Sequence, residues 1–372
     1  MVPRGRGGDQ SVEVVKPIPQ EPWYDRGGQT GHGAPVSDRE TLWSIQYLRA
    51  YAAIAVVMYH VAAFRLMPAD WGAMRGGERG VDIFFVISGV IMFSAARHES
   101  FAEFWRRRIL RIVPLYWLCT GAMLVALWTT LEIRPSGSEL LSSLLFVPRF
   151  SDASPDKIWP VLYPGWTLQY EMFFYFLFSL GLVIRRPLLL PVAAVASMVL
   201  VGAVYHVRSA PMMTYTNPLM LEFAAGLTIA YAWRSRLVAP TFERLRWVIW
   251  PAMAALWWPD LPRTAVTACA CLIVIGALGY ERRRGVSRVG ILALLGDASY
   301  AIYLVHAPLI WMLGPEGLKL PASTPMALAV TFVAVASGVA VHRWIEKPIG
   351  RLLNRASSQM IVRMRPMSAT PG

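Results

Sequence analysis

The sequence predicts an all-α, polytopic membrane protein of about ten transmembrane helices with both termini in the cytoplasm, and three observations carry that prediction. First, the composition is too apolar for a soluble domain: of 372 residues 55% are hydrophobic and 16% charged, with 15 Trp and a mean hydropathy of +0.43. Second, apolar stretches recur at lengths near the roughly 20 residues that a helix needs to cross about 30 Å of hydrocarbon. Third, basic residues fall mainly on alternate connections between those stretches.

The first apolar stretch, 43–66, contains "QYLRAYAAIAVVMYHVAAF". About 42 mostly polar residues precede it and small cleavage-site residues are scarce, so it reads as a span and not a signal peptide. The second, 80–96, opens with "RGVDIFFVISG", and the third, 112–131, follows the basic run "FWRRRILRIVPLYW". The fourth, 165–184, starts with "GWTLQYEMFFYF"; the fifth, 187–207, carries no fixed charge; the sixth, 218–233, includes "NPLMLEFAAG". Four more follow at 247–258, which is short, 262–280, 299–314 with "SYAIYLVHAPL", and 326–345. Residues 1–42, rich in Gly, Pro and charge, are expected to be a disordered cytoplasmic tail, 43–345 the membrane domain, and 346–372 a basic cytoplasmic tail.

With the amino terminus inside, the inner loops at 97–111, 185–186, 234–246 and 281–291 and the tail from 343 hold 21 Lys and Arg, against 8 in the outer loops. That asymmetry accounts for the net charge of +13 without nucleic acid as a partner. The three cysteines, Cys119, Cys269 and Cys271, lie inside apolar runs, so neither a disulfide framework nor metal-ligand spacing is suggested.

Charged groups inside apolar runs mark candidate sites. Arg49 and His60 are eleven residues apart, which at about 100° per residue returns to within about 20° of one helix face and separates them by roughly 16 Å. They belong to one site, or else Arg49 snorkels to headgroups and His60 is a satisfied interhelical residue. Glu171 enters the fourth span from the outer side, at a depth similar to His60. Asp82 stands at the outer mouth of the second span, as site residue or first-turn acid, and Glu222 near the outer end of the sixth. An imidazole with carboxylates at one level suits general-base chemistry. On the inner side Arg107, Arg108 and Arg111 share a face, as a phosphate clamp would, although a topology signal or anionic-lipid contact gives the same pattern.

The Arg49–His60 spacing, "FFVISG" at 84–89, the arginines with Pro114, "WTLQYEMFFY" at 166–175, "SYAIYLVHAPL" at 299–309 and "WIEKPI" at 344–349 together resemble the acyltransferase-3 family of bacterial integral membrane O-acyltransferases. The look is closest to exopolysaccharide-production acetyltransferases of the bacterial inner membrane. The resemblance covers about residues 40–350 and implies transfer of an acyl group, acetyl above all, from cytoplasmic acyl-coenzyme A to a hydroxyl of an exported or lipid-linked saccharide. No metal is implied. It gives His60 the role of general base or acyl carrier, Glu171 that of orienting it or meeting the acceptor, and Arg49, Arg107, Arg108 and Arg111 that of holding the coenzyme. Asp82, Glu222, His306 and Tyr300 would face the acceptor, although helix packing also accounts for Tyr300. His342 is expected at the interface. A transporter or flippase of a lipid-linked saccharide is the rival reading, using the same charges with no covalent step.

Overall fold

The computed structural model describes residues 41–68, 74, 76–235 and 237–354. The tails expected at 1–42 and 346–372 lie largely outside them. Among the described residues the chain is all helical, as apolar runs must be where no water is present to satisfy backbone N–H and C=O groups. Fourteen α-helices follow in order: α1 (Trp43–Ala63), α2 (Gly80–Ile91), α3 (Phe101–Leu131), α4 (Gly137–Leu144), α5 (Trp166–Val183), α6 (Leu189–Val204), α7 (Ala210–Tyr215), α8 (Met220–Arg234), α9 (Ala239–Leu245), α10 (Ile249–Leu256), α11 (Arg263–Arg284), α12 (Gly290–Asp297), α13 (Ser299–Leu313) and α14 (Thr324–Val341). α2 runs on into a π-helical turn at Met92–Ala96, and α14 into another at His342–Glu346.

Each of the ten apolar stretches carries a helix. Four helical stretches are long and apolar enough by themselves to cross a membrane: Gly76–Ala96, Phe101–Leu131, Arg263–Arg283 and Thr324–Asn354. A fifth arises if α12 and α13, bent by 64° about Ala298, count as one span. The last stretch is the least covered, and Leu328, Phe332 and Trp344 stand on its open side, a surface suited to lipid.

The third helix departs from expectation. It begins at Phe101, eleven residues before the apolar run, because Ser100 caps it by accepting from the Glu103 N–H (3.3 Å) and Glu103 pairs with Arg107 one turn on (2.5 Å). At 31 residues it is about 46 Å long, and the arginines expected immediately before the third span sit on its own shaft.

α1 lies at the centre, packed on α2, α11, α12, α13 and α14, with Ala52, Ala53 and Val57 fully buried. α2 and α8 make the closest crossing: Gly89 lies against the backbone of Phe223 and Gly226, and Gly226 against the Val86 carbonyl. At the elbow, Gly296 lies against the backbone of Gln46, one turn before Arg49.

The long connection 132–164 is folded down. Ser136 caps α4, the Tyr116 hydroxyl donates to the Ser143 carbonyl (3.1 Å), and Ser143 Oγ accepts from the Val161 N–H (2.9 Å). Glu139 accepts from Ser151 Oγ (3.0 Å) and the Asp152 N–H (3.3 Å), and burial pushes its carboxyl up. A hydrogen bond from Ser136 and the ion pair with Arg149 hold Asp152 down at about 2, against an ordinary 3.8. An open groove of about 590 Å³ lies beside this segment, lined by Arg149, Phe150, Ser151, Asp152 and Pro211 among others.

Gly226→Ala sets a methyl group against the Val86 carbonyl and forces α2 and α8 apart, an overpacking cost of about 1–3 kcal/mol that a lowered melting temperature in detergent will register. Because the folded-state pKa of Asp152 lies below its unfolded value, its stabilisation is complete above 3.8 and is lost as pH falls toward 2. Hydrogen exchange in 132–164 therefore accelerates over that window, after correction for intrinsic rates, and Asp152→Asn removes the pH-dependent step.

Candidate active site

Two polar centres lie within the bundle. The first gathers where α1, α13 and the turn before α5 meet. His60, three residues from the end of α1, faces His306 of α13: His306 Nε2 is 3.2 Å from His60 Nδ1, and the ring centroids are 4.8 Å apart. His306 is fully buried and His60 partly so. His60 Nδ1 also lies 2.9 Å from the Val56 carbonyl oxygen, and His306 Nδ1 lies 3.2 Å from that of Ile302.

These contacts select tautomers. A carbonyl oxygen only accepts, so each Nδ1 carries the hydrogen, which leaves His306 Nε2 as an acceptor for His60 Nδ1–H. His60 Nε2 is then the unprotonated nitrogen and has no hydrogen-bond partner among the described residues. Tyr59 and Tyr163 stand against the His60 ring, Phe64 stacks on Tyr163, and Tyr303 lies beside His306. The Tyr303 hydroxyl is within 3.0 Å of both Thr167 Oγ1 and the Pro164 carbonyl oxygen, which pins α13 to the start of α5.

The second centre is cationic. Arg49, about 9 Å along α1, is buried, and its Nη1 donates to Gln46 Oε1 at 3.0 Å. Its charged neighbours are Arg111, Asp297, Glu346 and Glu171. Arg108 is buried as well, with its guanidinium 5.1 Å from the Phe104 ring centre and 5.8 Å from that of Tyr175, and its Nε has no partner. Arg111, one turn on, is exposed and makes no hydrogen bond among the described residues. The two π-helical turns border this centre: Met92 approaches Arg108 (4.0 Å), and Glu346 is among the charges near Arg49.

Glu171 lies between the centres. Its Oε1 accepts from Ser88 Oγ (3.0 Å) and from the Tyr175 hydroxyl, and its charge is felt at Arg49 and Arg108 on one side and Tyr303 on the other. The expected partnership of Glu171 with His60 is therefore replaced: His60 is oriented by His306 and the Val56 carbonyl, because α13 and not α5 packs along that part of α1.

Arg107 differs from its neighbours. Its guanidinium donates to Glu99 (2.8 Å) and Glu103 (2.5 Å), so much of its hydrogen-bonding capacity is committed within the protein. Burial pushes the Glu99 carboxyl up even though Arg108 and Arg107 favour its charge. Tyr300, expected to face the acceptor, donates instead to the Ile112 carbonyl (2.8 Å), just before Pro114, and ties α13 to α3. His342, expected at the interface, is buried and bonded to Glu346 (2.7 Å).

Asp82 and Glu222 come together, from α2 and α8, on one cation that the sequence reading passed over. Arg263, the first residue of α11, pairs with both, and Thr267 Oγ1 donates to Glu222 at 2.9 Å. Arg263 counted only as a basic residue of an outer loop, and nothing local to it signals two carboxylates from elsewhere in the chain. Asp82 is thus more than a first-turn acid, and Glu222 keeps Oε2 unpartnered.

Residues 42–343 match the family described as an acyltransferase domain. The exopolysaccharide production protein ExoZ of Rhizobium meliloti (strain 1021) is 39% identical over 291 residues, covering 74% of this chain and 90% of that protein. The acyltransferase MdmB of Streptomyces mycarofaciens is 29% identical over 381 residues, 88% of this chain and 94% of that one. The peptidoglycan O-acetyltransferase OatA of Listeria monocytogenes is 25% identical over 363 residues, 84% of this chain and 56% of that protein. No solved structure matches. Matched to one family over most of its length, and to ExoZ at 39% identity, the chain belongs to the acyltransferase-3 family.

Proposed function

We propose that this protein transfers an acetyl group from cytoplasmic acetyl-coenzyme A to a hydroxyl of an exported or lipid-linked saccharide at the outer side of the bacterial inner membrane, through ten spans with both termini inside. Family membership supports the acyl transfer, and relatives named for exopolysaccharide production and peptidoglycan O-acetylation support the saccharide. The single observation that carries the mechanism is the wiring of His60: Nδ1 is committed to Val56 and His306, so Nε2 is free to take a proton.

A hydroxyl that attacks an acyl carbon must lose its proton, and an imidazole nitrogen is suited to receive it near neutral pH. The same lone pair suits His60 to carry the acyl group itself. Arg108, Arg111 and Arg49 form a cationic route for the coenzyme's phosphates and arm, with Arg107 braced by two carboxylates at its edge. Glu171 sits where that route meets the outer centre and would align the arriving acceptor or thioester. Asp82 and Glu222, gathered on Arg263, offer hydrogen-bonding groups toward the outer mouth, and the groove beside 132–164 is a second surface for sugar contacts.

Purified protein with radiolabelled acetyl-coenzyme A and a saccharide acceptor will move label to the sugar; label that never moves across a range of acceptors leaves transport as the activity. His60→Ala lowers transfer about 10²- to 10⁴-fold while membrane insertion is unchanged. Arg108→Gln and Arg111→Gln each weaken coenzyme binding about 10- to 100-fold and flatten its salt dependence, whereas Arg107→Gln does less because its guanidinium is already shared. Titration calorimetry at low and high salt separates the three.

A further inference from the structure

Tyr163 opens the short 3₁₀ turn Tyr163–Gly165 that leads into α5. That turn is held from several sides. The Gly165 N–H donates to the Leu162 carbonyl (2.8 Å), the Pro164 carbonyl accepts from Thr167 Oγ1 and the Tyr303 hydroxyl (3.0 Å each), and the Tyr116 ring fills the space left by the absent side chain of Gly165. Its placement is therefore set by the scaffold. The ring stacks on Phe64 at 5.8 Å and lies 5.2 Å from the His60 ring.

Its hydroxyl is buried and has no hydrogen-bond partner among the described residues. A buried hydroxyl left unpaired costs roughly 1–3 kcal/mol, and phenylalanine would pack the same ring contacts without that cost. A hydroxyl left unpaired on a ring 5.2 Å from that of His60 is open to a partner from outside the protein. Acyl transfer supplies one: the thioester carbonyl oxygen, which becomes an oxyanion as the tetrahedral intermediate forms and which a placed O–H stabilises far more than water would. Three other groups at this centre are unsuited to the task. His306 presents an acceptor, and the hydroxyls of Thr167 and Tyr303 are taken up with each other and with Pro164.

We propose that Tyr163 is the oxyanion donor of the reaction, a catalytic residue acting opposite His60; the inference rests on the acyl-transfer reading above. The sugar oxygen bonds to the acyl carbon while its proton passes to His60 Nε2. The carbonyl π pair moves onto oxygen, which accepts from the Tyr163 hydroxyl. On collapse the C=O bond re-forms, the C–S bond breaks, and the departing thiolate takes the proton from His60. Ester and free thiol result, and both side chains return to their starting states. Attack by His60 itself would place the same negative charge on the same oxygen.

Tyr163→Phe tests this in the intact protein in detergent. The expected result is a kcat lowered about 10²- to 10³-fold, a KM for acetyl-coenzyme A changed less than about threefold, and a melting temperature unchanged or raised, since the deleted hydroxyl bonds to nothing among the described residues. A kcat within about threefold of the parent overturns the assignment, as does a rise in KM alone. A clear fall in melting temperature also overturns it, because the hydroxyl would then be structural. Failure of the parent protein to label any saccharide is a separate result and removes the acyl-transfer reading itself.

Discussion

A fixed positive charge withdrawn from water must be answered by something, and the buried guanidiniums of Arg49 and Arg108 organise this molecule around that demand. Neither is paired in the ordinary way. Arg49 has one amide at hydrogen-bond distance and a ring of more distant carboxylates, and Arg108 rests on two aromatic faces and a thioether. Aromatic faces compensate a cation only in part, by about 0.5–2 kcal/mol, so both groups remain receptive to an anion. Arg263 is the counter-example: it meets two carboxylates directly and locks three helices in place of waiting for a ligand. The difference between receptive and satisfied cations separates the candidate donor route from the framework.

The framework makes that difference possible by bringing backbones close where it needs stiffness. The glycine contacts of α2 and α8 draw Asp82 and Glu222 onto a single cation, and Ser88, one residue before Gly89, reaches Glu171 on α5. Helices that close leave little slack for their polar groups to choose other partners. The same crossing therefore sets both the acidic cluster and one of the two hydrogen bonds that hold Glu171.

Much of this was legible in the sequence. The apolar runs marked where helices form, and helix periodicity alone put Arg49 and His60 on one face. What sequence periodicity could not supply was partnership between elements far apart in the chain. His306 stood out only as an imidazole without a lipid-facing rationale, and its contact with His60 Nδ1 depends on α13 packing on α1. Glu171 was expected beside His60, and its hydrogen bonds go instead to Ser88 and Tyr175. Arg263 was hidden by its position at a helix start, where a basic residue reads as topology, and Tyr163 by being one aromatic among many in a chain with 14 Tyr. The length of α3 was understated because charged residues interrupt an apolar run without interrupting a helix, and Ser100 and Glu103 are sufficient to start one.

The elbow at Ala298 has a consequence for how variation is tolerated. Gly296 is wedged against the peptide of Gln46, and Gln46 is the residue that grips Arg49. Side-chain bulk at 296 would be transmitted through a peptide and an amide to the lean of a guanidinium it never touches. Drift at this position is thus policed by geometry at one remove, and a bend just before the ninth apolar run acts as a set-screw on the first.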